Sequence, residues 1–227
     1  MQKTVLDIAA AHRVSTVLLT HHHEDHSGNA AAIKKQCNAS VMAHPLTVDK
    51  LRQPFKIFPY QQWVWGPSTP LAPEPFRSNF FEHHGLGFQI IHSPGHSRDH
   101  CAFLVPDRGW LFSGDLYLGD HIKFFRADEK IDEQIHSLQH LLRYDFDALF
   151  CNHRPMAKNG KKHLESKLQF LEDFYGRVSS LARQGLDERT IMRQLGLKEQ
   201  WLVKMICFGN VSMRNMVRSV MASSVAN

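Results

Sequence analysis

Apolar and polar positions alternate along this chain in two distinct rhythms. The run VSTVLLT at residues 14–20 is short and rich in β-branched residues, the pattern of a buried strand. Residues 2–13 before it mix apolar and polar positions at helical spacing and predict an amphipathic helix. SGNAAAIKKQC (27–37) predicts a second helix, with Ser27 or Asn29 near its start. SVMAH (40–44) predicts another strand, and a helix follows from about Pro45. Further strands are predicted at GFQIIHS (87–93), CAFLV (101–105), WLFSG (110–114) and DALFC (147–151), with PDRG (106–109) as a turn between the second and third of these. Ile131, Ile135, Leu138, Leu141 and Leu142 share one face of a helix within residues 128–144. From about Lys161 onward the chain reads as three or four helices.

Residues 54–78 break the rhythm with six prolines and six aromatics. They are expected to form an apolar loop, either lining a substrate cleft or packing over the core edge. Strands alternating with helices predict an α/β layered domain. The expected division is residues 1–158 as that domain and 159–227 as a helical segment.

Composition narrows the class. With 227 residues, 43% hydrophobic and 22% charged, the chain can bury one sizeable core and a small appendage. No apolar run approaches the roughly 18 residues that span a bilayer. The four cysteines are scattered and form no CxxC, which argues against a thiolate zinc site. With no export-signal pattern, a reducing cytoplasm is the expectation. Charge is uneven: residues 1–153 carry 14 Lys and Arg against 16 Asp and Glu, whereas residues 154–227 carry 13 against 6. The basic segment suits contact with nucleic acid or other anions, or a solvated helical surface.

The chemistry begins at HHHEDHS, His21 to Ser27. In an extended loop after a strand, His21 and His23 point to the same side, and Asp25 and His26 turn to a second point nearby. Imidazole with carboxylate suits zinc, manganese or iron better than calcium or magnesium. Four donors are too few for two ions, and three other strand ends offer more: His96 in SPGHSRDH, Asp115 in LFSGDLY and His153 in LFCNHRP.

HHHEDH contains HxHxDH, and the order HxHxDH, PGH, strand-end GD and strand-end His resembles the metallo-β-lactamase-fold hydrolase superfamily over about residues 14–155. The resemblance implies an αββα sandwich, one ion held by His21, His23 and His96, and a second by Asp25, His26 and His153. Asp115 would bridge them, and His100 would support the ligands. Two divalent ions, zinc or else iron or manganese, are the implied cofactors. Asp25, His26 and Asp115 are the implied catalytic groups around a metal-bridging hydroxide that attacks a thioester or ester of a small molecule. Members that open β-lactams generally lack the bridging aspartate, so Asp115 argues against that substrate. GDLYLGDHIKFF echoes the glyoxalase II type, in which Lys123 would contact an anion. The helical tail looks more like that of the β-lactamase-like protein 2 group, some of which cut RNA. GLDERTIMRQLG there resembles a small winged-helix piece. The alternatives are therefore a phosphodiesterase or endoribonuclease, or a shortened, catalytically weak relative. In this family further strands precede the HxHxDH loop, whereas here 20 residues do. Either the true start lies upstream of Met1 or the first strands are lost; if lost, the expectation is an N-terminally shortened sandwich with an open sheet edge that favours a homodimer.

Overall fold

The computed structural model describes residues 2–53, 57–66 and 69–225. In chain order the elements are α1 (Gln2–Ala11), β1 (Thr16–Leu18), α2 (Glu24–Ser27), α3 (Ala30–Cys37), β2 (Ser40–Ala43), α4 (Pro45–Leu51), α5 (Pro59–Trp65), β3 (Glu74–Pro75), β4 (Phe80–His83), β5 (Leu86–His92), β6 (Cys101–Val105), β7 (Trp110–Phe112), α6 (Ile131–Leu141), β8 (Ala148–Phe150), α7 (Gly160–Arg183), α8 (Glu188–Gln194), α9 (Trp201–Ile206) and α10 (Met213–Val225). β1, β2 and β3 make a parallel three-stranded sheet. β4 to β8 make a second sheet in sequence order, antiparallel except for the β7–β8 pair.

The layers follow from which face each strand buries. In the second sheet Ile91, Ala102, Leu104, Leu111 and Leu149 join one apolar cluster with residues of α6, α7, α8 and α10. Their neighbours in sequence, Ile90, Cys101 and Phe103, face the other way and meet Leu18, Phe76 and Phe112 between the sheets. Every residue of β6 is therefore buried, which is why CAFLV has no polar position. Val41 and Ala43 of β2 bury their own face beneath Ala30 of α3 and Val48 and Leu51 of α4. The order is helices, sheet, sheet, helices. Leu164, Leu171, Phe174 and Val178 of α7, Ile191 of α8 and Val217 of α10 all belong to the cluster under the second sheet.

Two stretches differ from expectation. The 54–78 segment is not simply a loop, because its described part holds α5 and β3; residues 54–56 and 67–68 lie outside the described residues. Pro59 opens α5 where no backbone donor is needed, and Gln61 Oε1 accepts from Phe58 N–H at 2.8 Å to close the first turn. β4, which the apolar pattern did not predict, pairs with β5 through a two-residue turn. His84 and Gly85 both take positive φ there (49° and 75°), the backbone such a hairpin demands.

Topology brings the strand ends together. β6 is antiparallel to both β5 and β7, and β8 is parallel to β7, so β5, β7 and β8 point the same way. The first residue of β6 ties the end of β1 to that edge: Cys101 N–H donates to Thr20 O at 2.8 Å. The loops after β1, β5, β7 and β8 therefore share one rim.

Candidate metal centre

His21, His23 and His26 come from the loop and helix after β1, His96 from the turn after β5, Asp115 from the turn after β7, and His153 from the loop after β8. Among the described residues three donor groups form: His21, His23 and His96; His21, His26 and Asp115; and Asp25, Asp115 and His153. Every residue read from the sequence as a ligand lies in at least one of them.

The first group is buried. His23 Nδ1 lies 2.9 Å from His21 Nε2 and 3.0 Å from His96 Nε2. A ring nitrogen of a neutral imidazole carries either one proton or one in-plane lone pair, so no proton arrangement gives three converging nitrogens a good hydrogen bond each. A cation among them would satisfy all three, since tetrahedral zinc holds its nitrogen ligands roughly 3.3 Å apart. Burial, with the neighbouring imidazoles, holds the pKa of His21 and His23 well below 6.5, so both are neutral with lone pairs to give. Burial also pushes His96 down, but Glu129 and Asp115 outweigh it and raise its pKa.

Asp115 spans two groups. Its Oδ2 lies 3.5 Å from His96 Nε2, while its Oδ1 lies 2.9 Å from His26 Nε2 and 3.5 Å from His153 Nε2. The 2.9 Å approach is not a directed hydrogen bond; among the described residues Oδ1 is a buried atom without such a partner, as are His23 Nε2, His96 Nδ1 and His100 Nε2. Burial would raise the Asp115 pKa, yet His153, His26 and His96 hold it far below the usual carboxylate range. The donor set fits divalent cations, with Asp115 common to two of the three groups and His26 Nε2 also 3.6 Å from Asp25 Oδ2.

Supporting contacts set the ring orientations. Thr20 Oγ1 lies 3.0 Å from His21 Nδ1 and 3.3 Å from His26 Nδ1, and its two lone pairs can accept from both, leaving each Nε2 free to bind. The turn after β5 needs Gly95, because a Cβ there would lie 2.4 Å from the Gln134 backbone nitrogen. His100 hydrogen-bonds Ser93 Oγ at 2.9 Å, and its ring stands 5.2 Å from that of His21. Lys123 is exposed to solvent.

Three supporting residues escaped the sequence reading. Asp99 is fully buried and binds His22 and Thr47 (2.7 Å). Burial would raise its pKa, but His22, Thr47 and Lys50 keep it well below the carboxylate range. Glu129 Oε1 lies 3.4 Å from His96 Nδ1, accepts from Arg126 N–H at 3.2 Å, and its Oε2 accepts from Gln134 at 2.6 Å. Lys167 is 1% exposed inside the core. The only sequence signal was a charged residue inside or beside an apolar or histidine-rich run.

Comparison with known proteins bears on the family and the fold. The sequence profile described as the metallo-beta-lactamase superfamily matches residues 10–153. A hydroxyacylglutathione hydrolase of Aeromonas salmonicida is 30% identical over 194 residues, covering 80% of this chain. The chain spans 66% of that relative's length and 50% of hydroxyacylglutathione hydrolases from Legionella pneumophila and Halorhodospira halophila. Among solved structures, the metallo-beta-lactamase family protein TTHA1429 of Thermus thermophilus superposes with TM-score 0.60 at 20% identity, over 92% of this chain and 72% of that one. The di-iron-bound form of TTHA1623 superposes with TM-score 0.58 at 26% identity, over 71% and 82%.

Proposed function

The chain belongs to the metallo-beta-lactamase superfamily, and from that membership we propose that it is a dinuclear metal-dependent hydrolase of a small thioester or ester. The observation that carries this reading is Asp115, one oxygen beside His96 and the other beside His26 and His153. The hydroxyacylglutathione hydrolases it resembles point to an acyl thioester of a small thiol. The histidine-rich donor set suits zinc, and iron equally where the cell supplies it.

Two divalent cations bound there supply a nucleophile from water at neutral pH and Lewis acidity toward the scissile carbonyl. The residues of the chain do the rest. His21 and His23 enter neutral, so they bind without first losing protons at pH 7, whereas His96, whose pKa Glu129 and Asp115 raise, releases its proton when it binds. Asp115 fixes the separation of the two groups. Asp25 is exposed at the rim beside His26, where its carboxylate can orient an attacking water toward substrate. Thr20 and Glu129 hold the imidazoles so that the geometry is set before substrate arrives.

The test is metal content and turnover together. Purified chain loaded with zinc should carry about two ions, release thiol from S-acylglutathione, and lose that activity in Asp25→Ala. Absence of metal in a folded sample sinks the metallohydrolase reading. Full loading with no turnover across thioesters and esters sinks the substrate class, and cleavage of RNA by the same sample would replace it with a phosphodiester.

A further inference from the structure

α7 buries Gly160, Leu164, Lys167, Leu171, Phe174 and Val178 along one face. Their spacing is that of an apolar stripe, and Lys167 occupies its middle. A lysine at such a position is rare, since its ammonium loses water and must find its partners inside the protein. Among the described residues its hydrogen-bond partner is a backbone atom: Lys167 Nζ donates to the carbonyl oxygen of Leu116. Burial takes the lysine pKa down to about 8 while Glu129, Asp115 and Cys151 hold it up, so the ammonium stays charged at neutral pH.

Leu116 follows Asp115 in a tight turn, Gly114–Leu116. Ser113 N–H holds the near side of this turn to Phe150 O of β8 at 2.9 Å. Gly114 adopts φ +50° with His100 and Thr20 packed where a side chain would go. Lys167 holds the far side. One helical turn earlier on α7, His163 Nδ1 lies 2.9 Å from Asp120 Oδ1, which also accepts from the buried Tyr117 hydroxyl at 2.5 Å. α7 thus grips residues 116–120 at two points.

Building on the dinuclear reading, we propose that Lys167 is a positioning residue for Asp115. Its ammonium fixes the Leu116 carbonyl, and with His163 it sets the turn so that the Asp115 carboxylate reaches both donor groups. The helical C-terminal segment is then a working part of the metal centre as well as a brace on the core.

The experiment titrates the purified full chain with zinc against a chelator, and with cobalt to read electronic coupling between two ions. Lys167→Met removes the donor at similar volume, and Lys167→Gln keeps an N–H donor without charge. In Lys167→Met the ion held by His21, His23 and His96 should keep its affinity. The second should weaken by about tenfold or more, as on loss of other outer supports, and the cobalt coupling should disappear. Lys167→Gln should restore much of both. Wild-type affinity for both ions in Lys167→Met overturns the proposal, as does a Lys167→Gln variant as weak as Lys167→Met. Should Lys167→Met not fold by circular dichroism, His163→Ala carries the test: a weakened second ion supports the proposal and an unchanged one overturns it. Failure of the dinuclear reading is separate, because it would appear as fewer than two ions on the wild-type chain.

Discussion

Asp99 accepts a hydrogen bond from the backbone N–H of His22 at 3.0 Å, and the ring Nδ1 of His22 lies 2.9 Å from the same carboxylate. The two residues are 77 positions apart. Their pairing fastens the loop that carries His21, His23, Asp25 and His26 to the loop that carries His96. Thr47 donates to the same carboxylate at 2.7 Å, and Lys50 Nζ reaches His22 Nε2 at 3.1 Å.

Asp99→Ala should therefore cost both stability and metal affinity. It removes the acceptor of the His22 backbone N–H and of the Thr47 hydroxyl, and loss of a buried acceptor costs about 1–3 kcal/mol per donor. Thr47→Val removes one donor of the same carboxylate and should cost about 1 kcal/mol. Urea denaturation of the zinc-free chain measures both. Equal, small losses would mean that Asp99 does not fasten the loops.

Acid should destabilise the metal-free chain from near neutrality downward. His21 and His23 are held well below 6.5 by burial, and burial with the neighbouring His96 takes His100 down to about 3. These rings are neutral when folded and take up protons on unfolding, so the unfolded state binds more protons below 6.5. Their stability contribution is complete above about pH 6.5 and is lost as pH falls through the folded values. For His100 alone the loss reaches roughly 4 kcal/mol by pH 3. His96 and His153, whose pKa values are raised, work oppositely. Melting temperature should fall between about pH 7 and about pH 5, and added zinc should offset the fall above pH 6 more than below it. A flat profile would contradict this account.

Glu129→Gln should spare the fold and weaken the zinc held by His96. The amide still accepts from Arg126 N–H, but it no longer offers a charge to His96 Nδ1 3.4 Å away. Loss of such an outer carboxylate typically costs 10–100-fold in affinity. Competition against a chelator reads this directly, and an unchanged constant would assign Glu129 to helix packing alone.

Gly114→Ala should damage the site more than its size suggests. The added methyl would lie 2.5 Å from His100 Nε2 and 3.0 Å from Thr20 Cβ, at a φ of +50° that alanine avoids. The turn must shift, and with it Asp115. Displacement by about 1 Å can cost on the order of 100-fold in rate. Thiol release with S-acylglutathione should fall at least tenfold while circular dichroism stays unchanged; full activity would show that the turn has slack.

The sequence by itself determined the strands of both sheets apart from β3 and β4, and it offered the candidate donors that the fold then brings within reach of one another. Strands such as CAFLV are legible because both faces are buried and no polar residue interrupts them. The donors are legible because each sits in a short local pattern at a strand end, so that reading one stretch at a time was enough. α5 was hidden by its prolines, and β4 by an alternation whose Phe80 is left exposed. Tertiary structure alone decided what holds the donors. Asp99 meets Thr47 across 52 positions and Lys167 meets Leu116 across 51. No local rhythm records such a pairing, because a carboxylate or an ammonium acquires its partner, and its altered acidity, only when the fold removes the water between them.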